Sequence, residues 1–162
     1  PPYPSFYPTP ERSRVMKARV SEQDRNIAVT KALFHAFGAQ DIPAIMEFLH
    51  PDAVIEFYGT PVIPYAGIYR GHDKCRRFFE RVLSSVDVHQ FDAEEFIADR
   101  DKVIVTGHLN LTARSTGRPI DSDFVHVITL KDAQWIRFRD FMNTAIAVAA
   151  FSQADEGVVS SL

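Results

Sequence analysis

The chain has 162 residues, 46% of them hydrophobic, which suits one domain with a core of its own rather than a small scaffold held by cross-links. Eighteen Lys and Arg against twenty-one Asp and Glu leave a net charge near −3, which excludes the basic footprint of a nucleic-acid or anionic-membrane binder. A single cysteine, Cys75, excludes an internal disulfide. With no apolar run near the ~20 residues of a membrane span and no signal-peptide pattern, this points to a cytoplasmic protein.

In chain order, residues 1–20 hold five of the ten prolines and then the basic run ERSRVMKAR, and read as an extended N-terminal arm. The domain proper is expected over 21–152, with a frayed tail at 153–162. Ser21 and Asp24 suit the start of a helix running to Phe37, with Ile27, Leu33, Phe34 and Phe37 as its apolar stripe and Gly38 as a left-handed stop. Asp41 caps a short second helix with Pro43 in its first turn. Ala53 to Tyr58 reads as a strand, and the Pro-, Gly- and Tyr-rich stretch 59–71 as a loop. A third helix is expected from Asp73 to Ser84; Cys75 sits in it as a small packed side chain. Strands follow at about 88–98, 102–113, 120–130 and 134–143, and an alanine-rich helix at 144–151. Helix, helix, strand, helix and then a meander of strands predicts an α+β fold: a cone-shaped, curved antiparallel sheet with helices on its concave face, enclosing a blind pocket.

Pairing arithmetic then selects the pocket residues. A hairpin centred on Ala133 pairs residues whose numbers sum to 266, so His126 meets Asp140, and directly opposed residues have Cβ atoms about 4.5–5.5 Å apart. A hairpin turning at Thr116, with pairs summing to 232, sets His108 opposite Phe124, Asn110 opposite Ser122 and Thr106 opposite His126. One face then carries Asp140, His126 and His108 as candidate acid/base groups. The other carries Val105, Leu109, Leu111, Val125, Val127, Phe141, Arg137 and Arg139, a face apolar enough to meet a second copy in a homodimer.

A His–Asp pair on an apolar sheet costs desolvation, so it has either a hydrogen-bonded structural role or a chemical one. Asp140 would take or give a proton, His126 would tune or relay it, and His108 with Asn110 would hold a substrate oxygen. Thirteen Phe and five Tyr suggest an aromatic lining; the lining expected is Phe34, Phe37, Ile55, Phe57, Tyr58, Tyr65, Asn110, Ser122, Phe124, Phe138 and Met142. No HxH, HExxH or CxxC spacing and no phosphate-cradling glycine pattern is present, so no metal and no cofactor is expected.

The motifs TGRPIDSDFVHVITL…WIRFRDFMNTAIAVAAF and GIYRGHDKCRRFF resemble SnoaL-like proteins of the nuclear-transport-factor-like superfamily, which includes ketosteroid isomerase and limonene epoxide hydrolase. The resemblance spans about Asp24 to Phe151 and implies the cystatin-like α+β barrel of ketosteroid isomerase. It is less specific for reaction, because this scaffold carries many chemistries. The three ketosteroid isomerase positions hold Leu33, Phe57 and Phe124 here, so that constellation is absent. Of the epoxide hydrolase triad only Asp140, in FRDF, survives; the Arg-x-Asp positions fall at His108 and Asn110. SnoaL-type polyketide cyclases use a histidine and an aspartate on adjacent strands, and His126 with Asp140 is similar to that arrangement. The resemblance therefore implies a cofactor-independent cyclase, isomerase or dehydratase acting on a small polyketide- or terpenoid-like molecule. The alternatives are a non-catalytic binding module of the same fold or an epoxide hydrolase.

Overall fold

A computed structural model describes residues 10–153. The proline-rich start of the expected arm (1–9) and most of the expected tail (154–162) lie outside the described residues. Helix α1 spans Pro10–Gly38, α2 Ile42–Glu47 and α3 His72–Ser85; strands β1 (Leu49–Phe57) and β2 (Gly67–Arg70) flank the loop before α3. The strands β3 (Val86–Asp99), β4 (Lys102–Ala113), β5 (Pro119–Lys131) and β6 (Gln134–Met142) follow, and α4 (Thr144–Phe151) closes the domain.

The arm expectation is corrected at Pro10. Proline is tolerated at the first helical position, where its missing N–H has no intrahelical partner to lose. The helix therefore begins there and runs without a break through the expected boundary at residue 20. Its stop also differs: the left-handed residue is Gln40, at φ 55°, not Gly38. The Asp41 cap forms as expected, its carboxylate accepting from the Ala44 N–H at 3.1 Å.

The strands form one six-stranded curved sheet that does not close, ordered β2-β1-β6-β5-β4-β3. Every neighbour pair is antiparallel except β1 and β6, which run parallel. The meander β3 to β6 thus follows sequence order, while the first long strand docks beside the last. Helix α1 packs on β3, β4 and β6, and α3 on β1, β2 and β3. Burial alternates strictly along β4 and β5, so each strand has one face in the core and one outside. No helix among the described residues is long and apolar enough to cross a membrane.

The two hairpins set which residues face inward. At the β5–β6 turn, Asp132 and Ala133 both have positive φ (52° and 59°), the pattern of a two-residue type I′ turn closed by Lys131 and Gln134. That turn alone would pair residues summing to 265. An irregularity next to the turn leaves Ile136 without an opposite number, and beyond it Thr129 pairs with Arg137 and His126 with Asp140.

The β4–β5 expectation is off by one. The turn takes four residues, 114–117, with Gly117 at φ 75° in its last position and Ala113 donating to the Arg118 carbonyl. Pairs therefore sum to 231: Gly107 faces Phe124, Val105 faces His126, His108 faces Asp123 and Asn110 faces Asp121. Because side chains alternate, this single step turns Thr106, His108 and Asn110 outward and brings Val105, Leu109 and Leu111 into the core. Gly107 is required where it stands. A Cβ there would lie 2.1 Å from the Asp92 carbonyl oxygen and 2.4 Å from the Phe124 ring.

Candidate functional site

The concave face of the sheet, α1 and α3 enclose a cavity of about 60 Å³. Leu33, Phe34 and Phe37 reach it from α1, Phe78 and Phe79 from α3, and Phe91, Leu109 and Leu111 from β3 and β4. At its β6 side lie His126, Phe138, Asp140 and Met142. The walls are hydrocarbon and aromatic almost throughout. Four lining side chains carry nitrogen or oxygen: Tyr65, His126, Trp135 and Asp140. The indole N–H of Trp135 is satisfied by the Thr30 hydroxyl at 3.3 Å.

His126 is 3% exposed and stands within 4.5–5.9 Å, ring centre to ring centre, of Phe124, Phe138, Phe34 and Phe91. Its Nε2 lies 3.2 Å from Asp140 Oδ1. That is charge-pair distance, without the alignment of a hydrogen bond. Its Nδ1 is buried with no hydrogen-bond partner among the described residues. Asp140 is 16% exposed and is held by its register on both sides, opposite His126 on β5 and Phe57 on β1. The Phe57 ring meets Tyr65 edge-on at 5.0 Å, which brings the phenol to the Asp140 end of the cavity. Burial first, and the Asp140 charge second, push the Tyr65 phenol well above its ordinary range, so it stays protonated.

The predicted site residues separate into three groups. Asp140, His126, Phe34, Phe37, Phe57, Tyr65, Phe138 and Met142 line the cavity together. Phe124, Ile55 and Ser122 sit just behind it. Phe124 stacks on Phe91 at 4.7 Å and supports the His126 ring, and Ile55 is fully buried. Ser122 donates to the Asp123 carbonyl and accepts from the Asn143 N–H, tying β5 to the start of α4. His108, Asn110 and Tyr58 lie on the outside. His108 binds Asp121 through Nε2 and Asp123 through Nδ1, the latter at 2.7 Å. Those two carboxylates, Asp123 first, raise its pKa. Tyr58 donates to Glu56 and stacks on Phe141. On that face Arg137 also holds Glu56 in a two-pronged pair. Burial of the Glu56 carboxylate works against ionisation, but its bonds to Tyr58 and Arg137 prevail and lower its pKa.

Sequence reasoning missed Phe91, Leu109, Leu111 and the α3 pair Phe78 and Phe79 as lining. The glycine at the end of the 114–117 turn was the usable signal for the first strand pair. For Phe91 there was none, because β3 carries two register shifts. Cys75 is buried, with Sγ near the Ala53 and Tyr69 carbonyls at 3.4 and 3.6 Å. Burial pushes its thiol up to about 11, so it stays an unreactive packing group. Among the described residues no cluster of three metal-ligating side chains occurs.

The profile of the SnoaL-like domain family matches residues 30–138. No curated protein matches the sequence. Among solved structures, an NTF2-like protein from Burkholderia xenovorans LB400 superposes with a TM-score of 0.74 at 24% identity, covering 80% of this chain and 98% of that one. TerC, co-crystallised with polyporic acid, gives 0.68 at 24% identity, with 80% and 99% covered. A provisionally assigned SnoaL-like polyketide cyclase from Jannaschia sp. CCS1 gives 0.68 at 21% identity, with 82% and 94% covered. At these identities the likeness establishes the fold.

Proposed function

Since the chain belongs to the SnoaL-like domain family, we propose that it is a cofactor-independent acid/base enzyme for a small, largely apolar molecule. The reaction class is cyclisation, isomerisation or dehydration of a polyketide- or terpenoid-like substrate. One observation carries this reading. Tyr65, His126 and Asp140 converge in an otherwise hydrocarbon cavity, and none of the three makes an aligned side-chain hydrogen bond to the described residues. Buried polar groups are paired in the great majority of proteins, so a His126 Nδ1 and a Tyr65 phenol without hydrogen bonds among the described residues, beside a carboxylate at one small cavity, suit a ligand that supplies the partners.

In this reading Asp140 is the proton-transfer group. Among the described residues it is the one carboxylate lining the cavity, and a carboxylate next to apolar walls exchanges protons with a bound C–H or O–H without competition from bulk water. His126 is held flat among phenyl rings and orients Asp140 or stabilises its charge. Apo hydrogen bonds at such sites are often poorly aligned and tighten on binding, which the 3.2 Å contact would do through a small ring rotation. Two fold neighbours fit this reading: one is provisionally assigned as a SnoaL-like polyketide cyclase and one was co-crystallised with polyporic acid.

Epoxide opening of the limonene type is disfavoured. The positions that would supply its Arg and second Asp hold His108 and Asn110, and both point away from the cavity. The binding-module alternative has the same cavity and no turnover. A homodimer through the outer sheet face belongs to the proposal on a narrower basis than the sequence implied. Leu109 and Leu111 are core residues, which leaves Val125, Val127, Tyr58 and Phe141 among ion pairs.

The test is a panel of small ring ketones, each assayed for saturable binding by tryptophan fluorescence and for exchange of the α-proton in D2O. The same assays are repeated with a chelator present. Acid/base catalysis predicts exchange that saturates and survives the chelator. Saturable binding with no exchange would favour the binding module.

A further inference from the structure

We infer that Tyr65 is the hydrogen-bond donor that holds the substrate oxygen while Asp140 moves the proton, which makes an enolisable carbonyl compound the substrate class. The inference is reached by accounting for every polar group in the cavity. A carboxylate that removes a proton beside a carbonyl leaves negative charge on the carbonyl oxygen, and that oxygen needs a preorganised donor. Trp135 is committed to Thr30; His126 Nε2 faces the Asp140 carboxylate, and with the proton on that nitrogen the unpartnered Nδ1 is an acceptor, not a donor. The Tyr65 hydroxyl alone is a protonated, uncommitted donor: no hydrogen bond to it occurs among the described residues.

Tyr65 is also built in. Its ring is packed edge-on by Phe57 at 5.0 Å and Phe151 at 5.8 Å. Its carbonyl accepts from the Tyr69 hydroxyl at 3.0 Å, and Tyr69 in turn accepts from Arg81 of α3 at 3.3 Å. A loop residue is thereby fixed to β2 and α3, the rigidity an oxyanion donor requires.

The step balances without a co-reactant. The Asp140 carboxylate takes the proton from the α-carbon, and the C–H pair becomes the C=C bond. The carbonyl π pair moves onto oxygen, where the Tyr65 O–H donates to it. Where a C=C is conjugated with the enolate, return of the proton to its far carbon shifts the double bond and gives isomerisation; attack of the enolate carbon on a second carbonyl of the same molecule, whose oxygen takes the proton back from Asp140, gives cyclisation.

This inference rests on the acid/base reading for its reaction, but its hydrogen bond can be tested without turnover. The probe is 4-nitrophenol, a single-ring mimic of the enolate whose colour reports its ionisation. Asp140→Asn, which removes the competing charge, should bind it as the phenolate. Adding Tyr65→Phe should weaken that binding roughly 10–100-fold, as expected for loss of a hydrogen bond to a charged group, and abolish the colour shift. The thermal midpoint of each variant checks that folding is intact. Binding by the double variant within two-fold of Asp140→Asn, or no binding by Asp140→Asn at millimolar probe, overturns the role of Tyr65. Undiminished α-proton exchange by Asp140→Asn would instead overturn the acid/base reading and leave the nitrophenol comparison to judge Tyr65 on its own.

Discussion

His126 stands opposite Asp140 because Ile136 has no opposite number. Were Ile136 paired with Thr129 instead, the two-residue turn at Asp132 and Ala133 would set Asp140 opposite Val125 and carry the carboxylate to the outer face. The candidate site therefore depends on Ile136 staying unpaired about half a strand away. Deleting Ile136 should remove the irregularity and still leave His126 opposite Asp140, so the cavity keeps its carboxylate and its Phe138 and Trp135 packing. A urea titration should show that the shortened chain still unfolds cooperatively, and loss of cooperativity would contradict this register.

The same turn offers a stability test that leaves the site alone. Ala133 holds φ 59° with a Cβ, a conformation that costs a non-glycine residue roughly 1–2 kcal/mol. Asp132→Asn with Ala133→Gly supplies the residues a type I′ turn prefers. We expect stabilisation of about 1 kcal/mol by denaturant titration, and unchanged or lower stability would contradict the turn geometry.

Gly107 supports the site from below. An alanine there must displace the Asp92 carbonyl or the Phe124 ring, and Phe124 packs on His126 at 4.5 Å. Gly107→Ala should destabilise by about 1–3 kcal/mol and disturb the His126 ring, seen as a shifted imidazole resonance by NMR.

His126 is expected to oppose stability while serving function. Its Nδ1 is buried without a partner among the described residues, so His126→Leu should stabilise the fold by about 1 kcal/mol while lowering any proton-transfer rate. If His126 acts through Asp140, the His126→Ala and Asp140→Asn losses together will be smaller than the product of the two. Multiplicative losses would separate the two residues.

On the outer face, His108 has a raised pKa from its bonds to Asp123 and Asp121. A group whose folded pKa lies above its unfolded value contributes stability below the unfolded value, and that contribution fades as pH rises through the folded one. The thermal midpoint should therefore carry a component that falls as pH rises past about 6.5. Asp121→Asn with Asp123→Asn should remove that component and return the His108 titration by NMR toward its ordinary value. Activity should not follow this titration, since His108 does not line the cavity.

Much of this architecture is legible in the residues. Strict alternation along 102–113 and 120–130 marks β4 and β5, polar turns bound them, and the FRDF segment marks β6. What the residues hide is register. One residue in a turn decides which face His108 and Asn110 occupy, and alternation alone is equally satisfied by either choice on a strand whose two faces both carry Val, Leu or Thr. A turn centred on Ala133 gives the observed β5–β6 register because the true turn, centred half a residue earlier, lowers the sum by one and the irregularity at Ile136 restores it. Strand β2 is only four residues long and begins with Gly67 at φ 141°, and the parallel pairing of β1 with β6 is a contact of high sequence separation. Neither leaves a local pattern. Tyr65 was legible as lining, but its freedom from any hydrogen bond is a property of the assembled cavity.

The most direct measurement is α-proton exchange of 2-tetralone, a small apolar ring ketone, followed by NMR in D2O with wild-type protein and with Asp140→Asn. Asparagine keeps the size of aspartate and removes the titrating group. We expect wild-type protein to accelerate exchange, and the variant, with an unchanged thermal midpoint, to lose roughly 10²–10⁴-fold of that acceleration. A folded Asp140→Asn protein exchanging at the wild-type rate would contradict the account and leave the cavity as a binding site.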